Sequence, residues 1–169
     1  MRALIEHQDD YEIVLVASNK PAAAGLEYAR AAGIPTWSVE GKGIGREEWD
    51  RALNSVIEQH GVGTVALAGF MRILSPWFIE AWDGRVVNIH PSLLPKYRGL
   101  DTHARALEAG DRVSGCSVHV VTEELDAGEV LGQAQVPVEP GDSPESLEQR
   151  VLAAEHRLYP RVLSEFVRR

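Results

Sequence analysis

The chain has 169 residues, a net charge of −8, 44% hydrophobic and 25% charged residues, a globular composition able to bury about two-thirds of its unfolded surface in one domain. A pI near 5.2 argues against a nucleic-acid-binding face, which needs clustered Lys and Arg, and no apolar run approaches the roughly 18 residues that cross a bilayer. No signal-peptide core follows Met1, and a single cysteine, Cys116, excludes an internal disulfide and fits a cytoplasmic location.

Met1 to His7 reads as the tail of an amphipathic helix, with Leu4 and Ile5 as its apolar positions. Tyr11 to Ala17 is a β-rich apolar run and a central-strand candidate. Pro21 opens an Ala- and Leu-rich helix that Gly33 ends. Pro35 to Val39 is a short strand, Gly41 to Gly45 a turn, and Arg46 to His60 a helix stopped by Gly61. Val62 to Ala68 is a second buried strand, leading into Gly69-Phe70-Met71-Arg72. Ser75-Pro76 combines an N-cap with a proline at the first helical position, so a helix runs to about Trp82. Arg85 to His90 is the next strand, followed by a proline loop and a helix from about Asp101 to Ala109.

From Gly115 to Val121 the pattern alternates. Cys116, Val118 and Val120 point one way, Ser117 and His119 the other, which predicts a strand with one polar face. Glu123 to Gly128 is a turn, and Val130 to Val138 returns as an antiparallel partner. Ser143-Pro144 starts the last helix, whose buried stripe is Leu147, Val151, Ala154, Leu158 and Val162. Strands alternating with helices predict an α/β fold, a Rossmann-like doubly wound and mostly parallel sheet with an antiparallel excursion near residues 115–138.

The most informative stretch is Arg85 to Arg98 (RVVNIHPSLLPKYR). Its apolar strand delivers Asn88 and His90, two residues apart and so on one face, to a carboxyl end that Pro91 and Pro95 turn away. In open α/β sheets that end is where ligands bind. An amide and an imidazole there suit an oxygen that gains charge when a carbonyl-like carbon is attacked. A carboxylate is needed to hold the imidazole and handle a proton, and Asp126 in the Leu-Asp-Ala-Gly turn is the candidate. The bland alternatives are a cap for Asn88, a structural His90 and a turn-forming Asp126. His119 is either a neighbour of the chemistry or a polar-face residue. His7, His60, His103 and His156 read as solvated or helix-end residues, and Cys116 as a small buried side chain. Phe70 to Leu74, at another strand end, is either a plain loop or the backbone rim of a site for a flat heteroaromatic ring. No Ser or Cys stands in a nucleophile elbow, so transfer to a nucleophile brought by the substrate fits better than a covalent acyl-enzyme.

Taken together, VALAGFMRILSPWF, VVNIHPSLLPKYRG, GCSVHVVTEELDAGEVL and AAEHRLYP, in that order and spacing, closely resemble the phosphoribosylglycinamide formyltransferase family over about Met1 to Val167. The resemblance implies a formyltransferase fold, 10-formyltetrahydrofolate as donor, and direct attack by the amine of glycinamide ribonucleotide, with no metal. By match to the motif, Asn88 and His90 would stabilise the tetrahedral oxyanion, and Asp126 would orient His90 and help move the proton from the amine to N10. Met71, Arg72, Ile73 and Leu74 would line the pterin pocket with Asn88, Leu125 and Asp126. Gly69, Phe70, Pro91 and Glu155 would face the nucleotide. The implied partners are these small molecules, with no nucleic acid or membrane, in a monomer or homodimer.

The match departs at the front. Family members begin with a strand and a Gly-rich turn that binds the substrate phosphate, whereas here Met1-Arg-Ala-Leu is already in the helix that follows. The resemblance therefore implies a single domain, residues 1–169, lacking an interior strand and that phosphate turn, and ending at Arg169 soon after its last helix. This leaves a non-catalytic folate-binding remnant as an alternative. Methionyl-tRNA formyltransferase would predict an RNA-binding domain and a basic surface, and formyltetrahydrofolate hydrolase a regulatory extension and a different residue beside the catalytic histidine.

Overall fold

The computed structural model describes residues 1–169, in the order α1 (Arg2–Glu6), β1 (Val16–Ser18), α2 (Ala24–Ala31), β2 (Thr36–Ser38), α3 (Arg46–Gln59), β3 (Val65–Leu67), α4 (Pro76–Ala81), β4 (Val86–His90), α5 (Thr102–Glu108), β5 (Val113–Val120), β6 (Val130–Pro137) and α6 (Pro144–Val167). The strands make a mixed α/β architecture of two sheets. β1 and β2 pair in parallel; β3, β4, β5 and β6 form the other sheet in that order. Within it β3 and β4 are parallel, and β5 and β6 are the expected antiparallel excursion.

The two faces of β4 part its residues between different environments. Val87 packs with Cys116 and Val118 against the α6 stripe, where Leu147, Val151, Ala154, Leu158 and Val162 are all buried. Val86, on the other face, joins Trp49, Leu53, Phe78 and Trp82 of the α3–α4 layer. Asn88 and His90 share the side of Val86 but lie beyond those helices, so the core hands its strand over to a polar pocket. The Tyr159 hydroxyl of α6 lies 2.9 Å from the Leu67 carbonyl and 3.1 Å from that of Val87, tying the helix to β3 and β4. On the α3 side the buried Asp50 carboxylate accepts from Ser75 N–H, and Ser75 Oγ accepts from Phe78 N–H at 3.2 Å, the N-cap expected there. Ser143 caps α6 in the same way, reciprocally with Ser146.

Two expectations need correction. The runs Tyr11–Ala17 and Val62–Ala68 yield only three ladder residues each, Val16–Ser18 and Val65–Leu67, because β1 and β3 each have a partner on one side only. Pro21 sits in a turn before α2 rather than at its first position. The expected polar face of β5 is present and lies buried: Ser117 is 0% and His119 1% exposed. That face is covered by the loop after β4. Leu94 N–H donates to Ser117 Oγ at 3.0 Å, Ser117 Oγ donates to the Ser92 carbonyl at 2.6 Å, and Gln133 Nε2 donates to the Leu94 carbonyl at 3.0 Å. The loop carries a cis Leu94–Pro95 peptide.

Candidate active site

Cross-strand pairing assembles the site. Asn88 stands opposite His119 and His90 opposite Ser117, so one face of the β4–β5 ladder presents an amide, two imidazoles and a hydroxyl. The turn after β5 then folds back over this face and brings Asp126 to it. Asp126 has φ 49°, a left-handed conformation that Asp tolerates better than most residues. Gly128 lets the turn come so close, since a Cβ there would overlap the Val120 carbonyl.

The Asp126 carboxylate stands between the rings, with Oδ2 3.4 Å from His90 Nδ1 and Oδ1 3.5 Å from His119 Nε2. Both separations exceed the roughly 2.7–2.9 Å of a tight charge-assisted hydrogen bond. Its short contact is to backbone: Gly99 N–H donates to Oδ2 at 2.9 Å. Three segments distant in sequence are thus joined at one carboxylate.

The hydrogen bonds define tautomers. His119 Nδ1 faces the Val120 carbonyl at 2.9 Å, so the proton belongs on Nδ1 in the neutral ring. Its Nε2 is then free to accept from Asn88 Nδ2, 3.4 Å away. Burial holds the His119 imidazole below its usual pKa, opposed by the Val120 hydrogen bond and the charge of Asp126. His90 Nε2 donates to the Tyr97 carbonyl at 2.9 Å, and its Nδ1 faces Asp126, so both nitrogens point at oxygens.

The other expected residues divide. Met71 is 68%, Ile73 57% and Leu125 55% exposed, apolar side chains presented to ligand or solvent on turns that follow β3 and β5. Leu74 lies in the α3–α4 core instead, so only its backbone can border a ligand. The Arg72 guanidinium donates to the Gly41 carbonyl and sits 5.3 Å from the Trp49 ring centroid, so its side chain braces the loop before α3. Gly69, with φ 70°, and Phe70 line the mouth of a large cavity between β1 and β3. That cavity, about 840 Å³, does not include Asn88, His90 or Asp126. Pro91 follows His90 directly at the start of the anchored loop. Glu155 on α6 faces the Met1 amine, and burial pushes its carboxyl up to about 7.

Sequence reasoning left His119 open and treated Ser117 only as a polar-face residue. Their alternation with Cys116 and Val118 was the available signal, but burial of that face could not be seen in it. Tyr97 and Gly99 contribute only backbone groups, which side-chain identity does not reveal. His103, expected to be solvated, has a buried Nδ1 without a hydrogen-bond partner.

Residues 1–163 match the family described as Formyl transferase. Phosphoribosylglycinamide formyltransferase of Escherichia coli K12 is 53% identical over 152 residues, 89% of this chain and 72% of that protein. The trifunctional purine biosynthetic protein adenosine-3 of Gallus gallus is 52% identical over 153 residues, but the chain spans only 15% of its length. Among solved structures, phosphoribosylglycinamide formyltransferase from Brucella melitensis superposes with a TM-score of 0.91 at 48% identity, covering 97% of this chain and 87% of that one. The enzyme from Bacillus halodurans gives 0.93 at 33% identity, covering 98% and 88%.

Proposed function

The chain belongs to the formyl transferase family, and from that premise we propose that it transfers the formyl group of 10-formyltetrahydrofolate to the amine of glycinamide ribonucleotide. The observation that carries this reading is the Asp126 carboxylate placed between His90 and His119, beside the Asn88 amide at the carboxyl end of β4. The relatives named for this reaction favour it over methionyl-tRNA formyltransferase and formyltetrahydrofolate hydrolase.

In this reading the substrate amine attacks the formyl carbon, a C–N bond forms, and the carbonyl oxygen takes up the electron pair. The Asn88 amide donates to that oxygen, the kind of preorganised donor that stabilises a developing oxyanion. His90 donates to it after exchanging its long Asp126 contact for the ligand. Asp126 accepts the proton released by the amine and passes it, through water, to N10 as the C–N10 bond breaks. The pterin ring rests on the exposed apolar surface of Met71, Ile73 and Leu125, and the backbone of residues 71–74 and 125–126 supplies its hydrogen bonds. Gly69, Phe70, Pro91 and Glu155 border the nucleotide. No step needs a metal. The reaction is cytoplasmic and its partners are these two small molecules.

The test is formyl transfer by residues 1–169, with 10-formyltetrahydrofolate and glycinamide ribonucleotide as substrates. Turnover abolished by Asn88→Ala supports the reading. Tight binding of a folate analogue without any transfer would instead favour a folate-binding protein.

A further inference from the structure

We propose that Asp111, outside the site, is a positioning residue for the reaction: through the Tyr97 side chain it holds the Tyr97 carbonyl on His90 Nε2. Only its kinetic consequence rests on the formyl-transfer reading. The segment from Tyr97 to Gly99 serves both members of the His90–Asp126 pair. The Tyr97 carbonyl accepts from His90 Nε2 at 2.9 Å, and two residues later Gly99 N–H donates to Asp126 Oδ2 at 2.9 Å. One short stretch of backbone thus sets where the imidazole and the carboxylate stand, 3.4 Å apart.

That backbone is in a conformation it would not keep unaided. Tyr97 has φ 55°, and a bulky side chain is rarely found at positive φ. Such strain persists only where the surroundings over-determine it. Upstream, Ser92 Oγ donates to the Lys96 carbonyl at 2.6 Å, so the chain is fixed as far as Tyr97. Rotation of φ to negative values would turn the Tyr97 carbonyl off the His90 ring. The side chain opposes that rotation: the Tyr97 hydroxyl donates to Asp111 Oδ2 at 2.9 Å, a hydrogen bond to a charged acceptor and so of the stronger kind. Hydrogen bonds from Lys96 and Tyr97 hold the Asp111 carboxyl below its usual pKa range, which keeps it ionised and accepting. Asp111 is itself fixed after α5 by its own N–H, which donates to the Ala106 carbonyl at 3.1 Å. Arg105 of α5 braces the other side. Its guanidinium lies 5.2 Å from the Tyr97 ring centroid and donates to the Arg98 carbonyl at 2.7 Å and the Leu100 carbonyl at 3.2 Å. Lys96 Nζ also reaches Asp111 at 3.0 Å, but its side chain is 60% exposed, and an ion pair of that kind adds little. The Tyr97–Asp111 hydrogen bond is therefore the contact that carries position from the end of α5 to His90.

The experiment compares Tyr97→Phe, Asp111→Ala, Asp111→Asn and Lys96→Gln with the parent chain. Nitrogen-15 imidazole spectra read the exchange of the His90 Nε2 proton with water. The His119 Nδ1 proton, bonded to the Val120 carbonyl within β5, is the reference. Tyr97→Phe and Asp111→Ala should speed exchange at His90 by about tenfold or more and leave His119 unchanged. In formyl transfer their kcat should fall by about tenfold or more, with KM for both substrates within about twofold of the parent. Asp111→Asn keeps an acceptor for the Tyr97 hydroxyl and should restore both readings, and Lys96→Gln should match the parent. The proposal is overturned if His90 exchange is unchanged in Tyr97→Phe and Asp111→Ala, or if His90 and His119 loosen together, the mark of a merely structural role. A raised KM at unchanged kcat overturns it too, as does a loss with Lys96→Gln equal to that with Asp111→Ala. If the parent itself transfers no formyl group, the functional reading fails, while the His90 exchange rates still decide whether Asp111 positions the ring.

Discussion

His90 Nδ1 and Asp126 Oδ2 lie 3.4 Å apart, facing each other at a distance longer than a tight charge-assisted hydrogen bond. The carboxylate is positioned by Gly99 N–H rather than by the ring, so it can exchange partners as a reaction proceeds. A group held in this way suits proton handling more than ground-state binding.

Asp126→Asn should therefore lower turnover by at least about 100-fold, with folate affinity within a few-fold of the parent. Single-turnover rates and a folate-analogue titration read the two separately. A variant turning over within a few-fold of the parent removes Asp126 from the chemistry.

His119 should remain neutral below the ordinary histidine range, with its proton on Nδ1. Because burial lowers its folded pKa, the unfolded chain binds more protons in acid. Its share of stability is thus complete above the unfolded value of about 6.5 and is lost as pH falls toward the folded one. Nitrogen-15 imidazole shifts recorded from pH 8 to 5 test this. A ring that titrates at or above 6.5 contradicts the assigned hydrogen bonds.

Glu155 has the opposite sign. Burial raises its carboxyl to about 7, with the Met1 amine opposing the shift. The stabilising protonated form is complete below the unfolded value and lost as pH rises through about 7. Glu155→Gln should leave the melting temperature unchanged near pH 4.5 and raise stability at pH 8 by on the order of 1–3 kcal/mol, allowing for residual solvent contact. Equal effects at the two pH values would refute the shift.

Gly128→Ala tests how the turn reaches the site. The added methyl would overlap the Val120 carbonyl, which also receives the His119 Nδ1 proton. The expected loss is about 1–3 kcal/mol, with displacement of the His119 imidazole signals. A stability unchanged within about 0.5 kcal/mol would show that the turn has room to move.

Local signals carried much of the fold. The α6 stripe and its Ser143 cap were legible because a 3.6-residue period and an N-cap are properties of neighbouring residues. The lengths of β1 and β3 were not, because ladder length depends on what lies alongside. Arg72 and Leu74 show the same limit: both within three residues of Met71 in sequence, one braces Gly41 and Trp49 and the other enters the α3–α4 core.

By itself the sequence determined the order of elements, the shared face of Asn88 and His90, and a family resemblance specific enough to name a carboxylate partner. These follow from two periodicities and a set of short motifs, all of which act along the chain. Only the tertiary structure decided that Asp126 lies between His90 and His119, that Ser117 anchors the proline loop, and that the ladder breaks between β1 and β3. Each of these depends on side chains or strand edges far apart in sequence, where register and burial are set by packing rather than by local pattern.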